Sequence, residues 1–273
     1  VAQSQESSSL GTTRQHVGST MSLPLNNIDV LEETLARYKA DIACVIIEPV
    51  VGNLGVIPPD VKFLTRLREL TTRHNIVLIF DEGTSGFRTH PGCVQAEINI
   101  IPDMTCLGKI IGSGFPIGAY GGRKDIMDCL SPSGGVYQAG TLSGNPVVMR
   151  AGLAGLRLLT EEFYATLNAK CAAFVRDVNG FFEKKKIEAH LASYGSMMSV
   201  RFRRKPVVNY QDAKAAAEGT GERCYAALFR HLLNDGIYFP PDDRQSFFIS
   251  CMHTKRDLNH LAAELKSFFT AAG

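Results

Sequence analysis

Three charged side chains occur where short apolar segments end, and for two of them, Glu48 and Asp81, the segment is typical of a buried strand that gives way to a loop. Glu48 and Asp81 each follow such a segment directly, and Lys109 follows a third after one glycine. The three segments are Ile42–Ile47, Ile76–Phe80 and Met104–Leu107. A partly desolvated carboxylate suits a cationic ring nitrogen or a metal ion. A lysine amine beside partly desolvated backbone can act as the nucleophile that forms a Schiff base.

Each of these side chains also has a simpler interpretation. Either acid could cap the next helix or pair with an arginine such as Arg88, and the lysine could be an ordinary surface residue in a loop. Generic motifs do not decide between these alternatives. Gly112–Gly118 has one residue too many for the dinucleotide-binding glycine pattern, and Gly108-Lys109 is followed by Ile110 rather than by the Ser or Thr of a P-loop. The sequence contains no G-x-S-x-G or H-E-x-x-H motif.

Composition disfavours several classes of protein. The chain has 273 residues, of which 45% are hydrophobic, and its 29 Lys+Arg against 27 Asp+Glu give a formal net charge of +2. So balanced a charge argues against nucleic acid or an anionic membrane as a partner. No apolar run approaches the roughly 20 residues that a membrane span needs. The seven cysteines form no C-x-x-C pair and fit no zinc spacing, so we expect reduced, buried thiols.

The spacing of apolar residues predicts the elements that position these side chains. Asn27 and Asp60 each begin an amphipathic helix, and the first two apolar segments above are typical of strands buried on both faces. Strand, helix and strand thus alternate, which indicates an α/β fold with a mostly parallel sheet. Six glycines between Gly108 and Gly122 mark backbone that turns tightly or lies close to another group.

The pattern changes near Pro146. Helices are predicted at Val147–Leu159, Glu161–Glu188 and Glu222–Asn234, and strands at Met198–Phe202, Ile237–Phe239 and Phe247–Cys251. Arg201 is expected at the polar edge of its strand, and a last helix begins at Thr254 with Asp257 as its capping-box partner. We therefore expect two domains. Residues 1–155 would form the C-terminal portion of a large domain, and residues 156–273 a small α+β domain.

Four motifs, in this order along the chain, resemble those of class III, pyridoxal-phosphate-dependent aminotransferases. They are Glu48–Asn53, Asp81–Arg88, Gly108–Arg123 and Tyr137–Pro146. Within that class, the chain is most similar to the glutamate-1-semialdehyde 2,1-aminomutases, which have Asn at the position of Asn53 where many relatives have Glu. The resemblance extends from about residue 25 to the C-terminus. It implies the fold of fold-type I transferases, a large-domain sheet followed by a small C-terminal domain.

The resemblance also implies a cofactor and roles for four residues. Lys109 would hold pyridoxal 5'-phosphate (PLP) as a Schiff base and move a proton in the reaction, which also passes through pyridoxamine 5'-phosphate. Asp81 would bind the pyridinium nitrogen and keep it protonated. Asn53 would lie near the phenolic oxygen of the cofactor. Thr141 would bind the cofactor phosphate of a neighbouring subunit, which places the active site at a homodimer interface.

Two positions depart from the family and bear on the reaction. Gly83 stands where relatives have a Val or Ile that packs on the cofactor ring, and Gln245 stands where the aminomutases offer a Glu to the substrate. The aminomutase reaction would move an amino group between adjacent carbons of one small amino-aldehyde. The departures favour an alternative, a transaminase that passes the amino group from a small amino acid to a separate keto acid.

The start of the chain opens a third alternative. The sequence begins with Val1, and nothing in Val1–Leu25 resembles the loop that binds the cofactor phosphate in the family or the aromatic residue that stacks on the ring. We therefore expect a chain that enters its large domain partway. It could be a catalytically incomplete fragment or a pseudoenzyme that binds cofactor poorly. The resemblance implies a cytoplasmic location, or a plastid in a photosynthetic eukaryote.

Overall fold

Two sheets and ten α-helices build the part of the chain that the computed structural model describes, residues 10–217 and 220–271. The helices are α1 (Arg14–Gly18), α2 (Ile28–Tyr38), α3 (Val61–Arg73), α4 (Cys93–Glu97), α5 (Lys124–Met127), α6 (Pro146–Leu156), α7 (Glu161–Lys184), α8 (Tyr210–Ala217), α9 (Thr220–Asn234) and α10 (Lys255–Ala271). The strands are β1 (Cys44–Ile47), β2 (Val77–Glu82), β3 (Met104–Leu107), β4 (Ala119–Gly122), β5 (His190–Tyr194), β6 (Met197–Arg201) and β7 (Phe247–Phe248). Residues 1–9 of the polar start lie outside the described residues.

The first sheet brings the three candidate side chains to one edge. Its order is β1-β2-β3-β4, with β1, β2 and β3 parallel and β4 antiparallel to β3. The sheet is therefore mostly parallel, as predicted. The carboxyl ends of parallel strands lie at the same edge of a sheet, where ligands gather in α/β proteins. Glu48 follows β1, Asp81 lies at the end of β2, and Lys109 follows β3.

Side-chain caps fix where the flanking helices begin. Asn27 Oδ1 accepts a hydrogen bond from the Val30 N–H at 3.1 Å ahead of α2. Asp60 Oδ1 accepts from the N–H groups of Lys62 and Phe63 at 3.0 and 3.1 Å ahead of α3. Both predicted helix starts are confirmed. The two helices bury their apolar faces in one core with β2. Its buried members are Leu31, Leu35, Phe63, Leu64, Leu67, Leu70, Ile76, Leu78, Phe80 and Ile100.

Asp103 joins three elements at the opposite edge of this sheet. Its carboxylate accepts hydrogen bonds from the Leu78 N–H at 2.7 Å, from Arg68 at 3.0 Å and from Arg123 at 3.1 Å. Burial alone would raise the pKa of Asp103, yet these hydrogen bonds outweigh burial and hold that pKa below its ordinary value. The ionised carboxylate therefore ties α3 and the chain after β4 to β2.

The second sheet is antiparallel, with the order β5-β6-β7, and packs with α7, α9 and α10. Its core is rich in large apolar and aromatic side chains. The fully or almost fully buried ones include Phe174, Val178, Phe182, Leu191, Met198, Leu228, Leu232 and Leu265. The predicted α+β character of the second half is confirmed. The boundary predicted near residue 155 falls at the end of α6 and stays a prediction.

Four strand predictions need correction. The strand expected over Ile42–Ile47 as buried on both faces is β1, in which Cys44 and Ile46 are exposed. The strand expected over Phe247–Cys251 is limited to Phe247–Phe248. β2 runs through Asp81 to Glu82, because the backbone of these residues still pairs with Cys106 and Leu107 of β3. The strand predicted at Ile237–Phe239 is wrong, since these residues are irregular. Phe239 is buried there by packing against aromatic rings, with its ring centroid 4.5 Å from that of Phe247, and not by strand pairing.

Composition gave a correct and an incorrect expectation for the thiols. All seven cysteines are free, as expected. Cys93 and Cys171 are buried, whereas Cys44, Cys129 and Cys251 are exposed, so uniform burial is wrong. None of the described helices is both long enough and apolar enough to span a membrane.

Candidate functional site

A hydrogen-bonded turn after β2 connects Asp81 with Lys109. The Lys109 amine donates to Thr84 Oγ1 at 2.8 Å and to the Gly83 carbonyl oxygen at 3.4 Å. The Gly83 N–H in turn donates to Asp81 Oδ1 at 3.0 Å. The structure therefore brings together the amine and the carboxylate that the sequence singled out. Thr84 was missed, although a hydroxyl three residues after Asp81 in a tight turn was a usable signal.

The two adjacent acids of β2 face opposite sides of the sheet, because successive strand residues alternate. Asp81 is half-buried beside the turn. Glu82 is fully buried and accepts hydrogen bonds from the N–H groups of Val94 and Gln95 in α4 and from the Ser85 hydroxyl. Burial raises the pKa of Glu82, although these hydrogen bonds act to lower it. Glu82 thus orders the start of α4, which leaves Asp81 as the acid that can meet a ligand.

The backbone at Lys109 is strained. Its φ is +49°, in the left-handed region, which costs a non-glycine residue roughly 1–2 kcal/mol. A 3-10 helix over Lys109–Gly112 follows and ends at Ser113, which is also left-handed. Such strain persists only where the surroundings impose it, and it clusters at functional sites. An open groove of about 630 Å³ adjoins the lysine and is lined by Ile110, Ser113, Gly114, Phe115, Pro116, Gly155 and Leu159.

Asn53 reaches the same edge through a loop that Glu48 organises. The Glu48 carboxylate accepts from the Gly52 N–H at 2.9 Å and from Asn53 Nδ2 at 3.1 Å. Among the described residues, Glu48 therefore caps no helix and pairs with no arginine. A methyl group built on Gly52 would lie 3.2 Å from Thr84 Cγ2, so this loop lies against the turn that holds Lys109.

The second half of the chain holds this loop, residues 50–57, in place. The Val56 N–H donates to Ser199 Oγ of β6 at 3.0 Å, and the Gly55 N–H donates to the Arg244 carbonyl oxygen at 2.6 Å. Ser246 Oγ donates to the Gly52 carbonyl oxygen at 2.9 Å. Gln245, which is exposed, lies between two residues that bind the loop. The structure therefore brings the segment of Gln245 to the loop of Asn53.

Arg201 lies beneath the loop and corrects the prediction of a polar strand edge. Its side chain is 1% exposed, and its guanidinium packs directly against Gly55. Nη1 donates to the Asp243 carbonyl oxygen at 3.1 Å, and the Asp243 carboxylate lies 3.6 Å away. Burial lowers the pKa of Arg201, whereas Asp243 acts to raise it. Among the described residues, its Nε and Nη2 have no hydrogen-bond partner.

Arg88 supports the turn and does not pair with either acid of β2. Its Nε donates to the Thr84 carbonyl oxygen at 2.6 Å, and its guanidinium lies 3.9 Å from the centroid of the Phe248 ring in β7. Burial lowers the pKa of Arg88 to about 10. Arg88 thus fixes the backbone of the residue that holds the Lys109 amine.

Thr141 lies apart from the other candidates. It is exposed, in the turn before α6, and within the described ranges it makes no hydrogen bond to Lys109, Asp81 or Asn53. Several apolar side chains near it in the sequence are also exposed. They are Val136 (53%), Tyr137 (83%), Leu142 (42%), Val147 (62%), Met149 (54%) and Leu153 (42%).

Comparison with known proteins decides the family. The sequence model described as aminotransferase class-III matches residues 8–257 of the chain. The chain belongs to the class-III aminotransferase family. One curated relative in the family, glutamate-1-semialdehyde 2,1-aminomutase 2 of Geobacillus kaustophilus, is 43% identical over 250 residues, which are 92% of this chain and 57% of the relative. The glutamate-1-semialdehyde 2,1-aminomutase of Desulfotalea psychrophila is 43% identical over 95% of this chain and 60% of its own length.

Solved structures of the family share the fold. The β-phenylalanine aminotransferase of Variovorax paradoxus superposes with a TM-score of 0.86 at 32% identity, over 93% of this chain and 58% of that one. A glutamate-1-semialdehyde-aminomutase from Pseudomonas aeruginosa in complex with PMP has a TM-score of 0.83 at 25% identity, over 96% of this chain and 59% of that one. The α/β, fold-type I architecture is thereby confirmed. The chain spans a little under two thirds of the length of these relatives.

The residues at the sheet edge fit the PLP of this family. Asp81 Oδ1 accepts the Gly83 N–H, and in the described part of the chain no hydrogen bond reaches Oδ2. That oxygen can therefore accept an N–H from a ring nitrogen. The Lys109 amine is held by a neutral hydroxyl and not by a carboxylate. Reaction of the amine with the carbonyl group of a cofactor would therefore cost a hydrogen bond and not an ion pair.

Proposed function

We propose that this chain carries the lysine and the ring-nitrogen acid of a PLP-dependent enzyme that transfers an amino group, similar to glutamate-1-semialdehyde 2,1-aminomutase. The observation that supports this most is the turn through which Thr84 and Gly83 connect Lys109 with Asp81. The family membership supports it independently. When bound, PLP supplies an electron sink that stabilises negative charge on the substrate carbon.

The residues of the chain then have distinct tasks. Lys109 holds the cofactor through Nζ and afterwards carries a proton to and from the reacting carbon. Asp81 accepts the N–H of the ring nitrogen, and its charge keeps that nitrogen protonated. Asn53, whose side chain Glu48 fixes, would bind the phenolic oxygen. Thr84 positions Nζ before the cofactor is bound and releases it afterwards.

A homodimer would bring Thr141 to the phosphate of the partner's cofactor. The exposure of Thr141 and of the apolar side chains near it in the sequence supports this part of the proposal. A large apolar patch on a soluble protein commonly marks a contact surface. Sedimentation of the chain should show a dimer, and Val147→Asp should shift it toward monomer. A chain that sediments as a monomer at all concentrations would contradict this assignment.

Gly83 and Gln245 keep two candidate reactions open, the aminomutase and the transaminase. An aminomutase needs no second substrate, whereas a transaminase needs a keto acid. We propose the aminomutase reaction on a small amino-aldehyde, because the curated relatives at 43% identity are named for it. Turnover that depends on added keto acid would favour the transaminase alternative instead.

We also propose the division into residues 1–155 and 156–273, since each half has its own sheet.

The decisive experiment is reduction of the cofactor complex with borohydride. The purified chain, incubated with PLP, should develop the absorbance of a lysine-bound cofactor, and borohydride should fix one cofactor on the peptide that contains Lys109. Lys109→Ala should abolish both signals. Lys124→Ala, which removes a lysine bound to Asp128, should change neither. Absence of the band in the unmodified chain would favour the incomplete-fragment alternative.

A further inference from the structure

A cluster of histidine and carboxylate side chains lies between α9 and α10, in the half of the chain that carries the second sheet. His231 Nε2 lies 3.2 Å from Glu264 Oε2, and the His260 ring lies 3.1 Å from the carbonyl oxygen of Asp235. His231 and Asp235 are four residues apart, as are His260 and Glu264. His260 and Glu264 share a face of α10, and Asp235 follows the last residue of α9, so the end of α9 and the middle of α10 bring these polar groups together.

Three of these residues offer ligand atoms at the spacing of a metal site. One nitrogen or oxygen atom from each of His231, Asp235 and Glu264 lies within 4.8 Å of the other two. Around a tetrahedral zinc ion with bonds of about 2.0–2.1 Å, neighbouring ligand atoms are about 3.3 Å apart. The 3.2 Å between His231 and Glu264 already matches that distance. Asp235 is exposed just beyond the end of α9, so its side chain can turn inward.

The surroundings favour a cation at this place. The negative end of the α9 dipole and two carboxylates converge on it. The His231 ring packs against Phe268 with 5.6 Å between ring centroids, which restricts the ring to few orientations. A ligand held by its neighbours in this way loses less entropy when a metal binds.

We propose that His231, Asp235 and Glu264 form a site for one divalent transition-metal ion, with zinc as the expected ion, that links the end of α9 to α10. An imidazole nitrogen with two carboxylates suits zinc, whereas magnesium prefers oxygen ligands alone. His231 Nε2 also lies 3.2 Å from the Glu264 carbonyl oxygen, to which it can donate. Metal binding through Nε2 therefore replaces this hydrogen bond and keeps the imidazole proton on Nδ1. The site uses none of the residues proposed for amino-group transfer.

Titration of the chelator-treated full chain with zinc chloride, without added PLP, tests the proposal. Calorimetry should show one zinc ion per chain, and zinc should raise the melting temperature while magnesium should not. Asp235→Asn and Glu264→Gln preserve size and should each weaken binding at least about tenfold. His74→Gln, which removes a histidine at the end of α3, should leave the affinity unchanged.

Cobalt provides a readout that separates this site from the free cysteines. Cobalt bound at His231, Asp235 and Glu264 should show visible bands without a thiolate charge-transfer band. The proposal is overturned if no zinc binds, if the bound cobalt shows the thiolate band, or if Asp235→Asn and Glu264→Gln both retain the affinity of the unmodified chain. Far-ultraviolet circular dichroism of each variant establishes that it is folded.

Discussion

Substitution of Gly55 by alanine should destabilise the protein through one identifiable clash. Gly55 has a φ of +70°, and a methyl group at this position would lie 1.7 Å from Arg201 Nη2 and 2.3 Å from Arg201 Cζ. The guanidinium cannot move aside into water, because the Arg201 side chain is 1% exposed. The left-handed backbone costs alanine about 1–2 kcal/mol. Overpacking of a close-packed site adds about 1–3 kcal/mol.

We therefore expect Gly55→Ala to lower the free energy of unfolding by about 2–5 kcal/mol. That is a large part of the roughly 5–15 kcal/mol by which a domain is stable. Urea denaturation followed by circular dichroism measures the change, and an unchanged dependence on urea concentration would show that the unfolded state is not affected.

Gly236→Ala is the matched control. Gly236 also has a left-handed backbone, with a φ of +77°, but apart from its chain neighbours no atom of the described residues lies within 4 Å of the position that a methyl group would take. The free energy of unfolding of this variant should fall only by the cost of a left-handed alanine backbone, about 1–2 kcal/mol. In an Arg201→Ala background, Gly55→Ala should cost no more than Gly236→Ala, since the clashing group is gone. Equal losses for Gly55→Ala and Gly236→Ala in the unmodified background would refute the packing of Arg201 against the loop.

Three further predictions concern single side chains. Asp103→Asn should cost about 1–3 kcal/mol at neutral pH, because it weakens the hydrogen bonds to a buried carboxylate. The pKa of Asp103 is lowered in the folded state. The difference in unfolding free energy between the unmodified chain and Asp103→Asn should therefore be complete above the unfolded pKa of about 3.9 and disappear as the pH falls through the folded pKa. Urea titrations at several pH values measure it. Thr84→Val should slow formation of the borohydride-reducible product about fivefold, because it removes one hydrogen bond of about 1 kcal/mol to the Lys109 amine. Thr84→Ser keeps the hydroxyl and should not slow it. Equal rates for Thr84→Val and the unmodified chain would contradict the positioning role of Thr84. Thr254→Ala should lower stability by about 0.5–2 kcal/mol through loss of the α10 cap, and an unchanged urea midpoint would show that the cap contributes nothing.

The features that could be predicted from the sequence are those that local chemistry determines. Asn27, Asp60 and Thr254 begin their helices as expected, because a cap is a contact between residues two or three apart. The parallel sheet follows from alternating apolar segments, and the sheet in turn places Asp81 and Lys109 at one edge.

The features that could not be predicted depend on contacts between distant residues. Arg201 was expected at a polar strand edge, because nothing in its neighbourhood in the sequence shows that Gly55 and Asp243 enclose it. The strand expected at Ile237–Phe239 is irregular, since an apolar run is compatible with burial in any backbone conformation. The strand β4 was not predicted, because half of its residues are glycines, which weaken the interior of a strand.

The loop that carries Asn53 has a consequence for protein synthesis. Its partners Ser199 and Ser246 follow the residues they bind by 143 and 194 positions. At a translation rate of about 5–20 residues per second, the ribosome needs roughly 10–40 s to make the chain between Gly52 and Ser246. During that interval β1, β2 and β3 can already pair, while the loop beside them still lacks the groups that fix it. Asp81 and Lys109 can therefore come together while the loop of Asn53 is still unfixed, and the loop gains its hydrogen bonds only once Ser199 and Ser246 have been made.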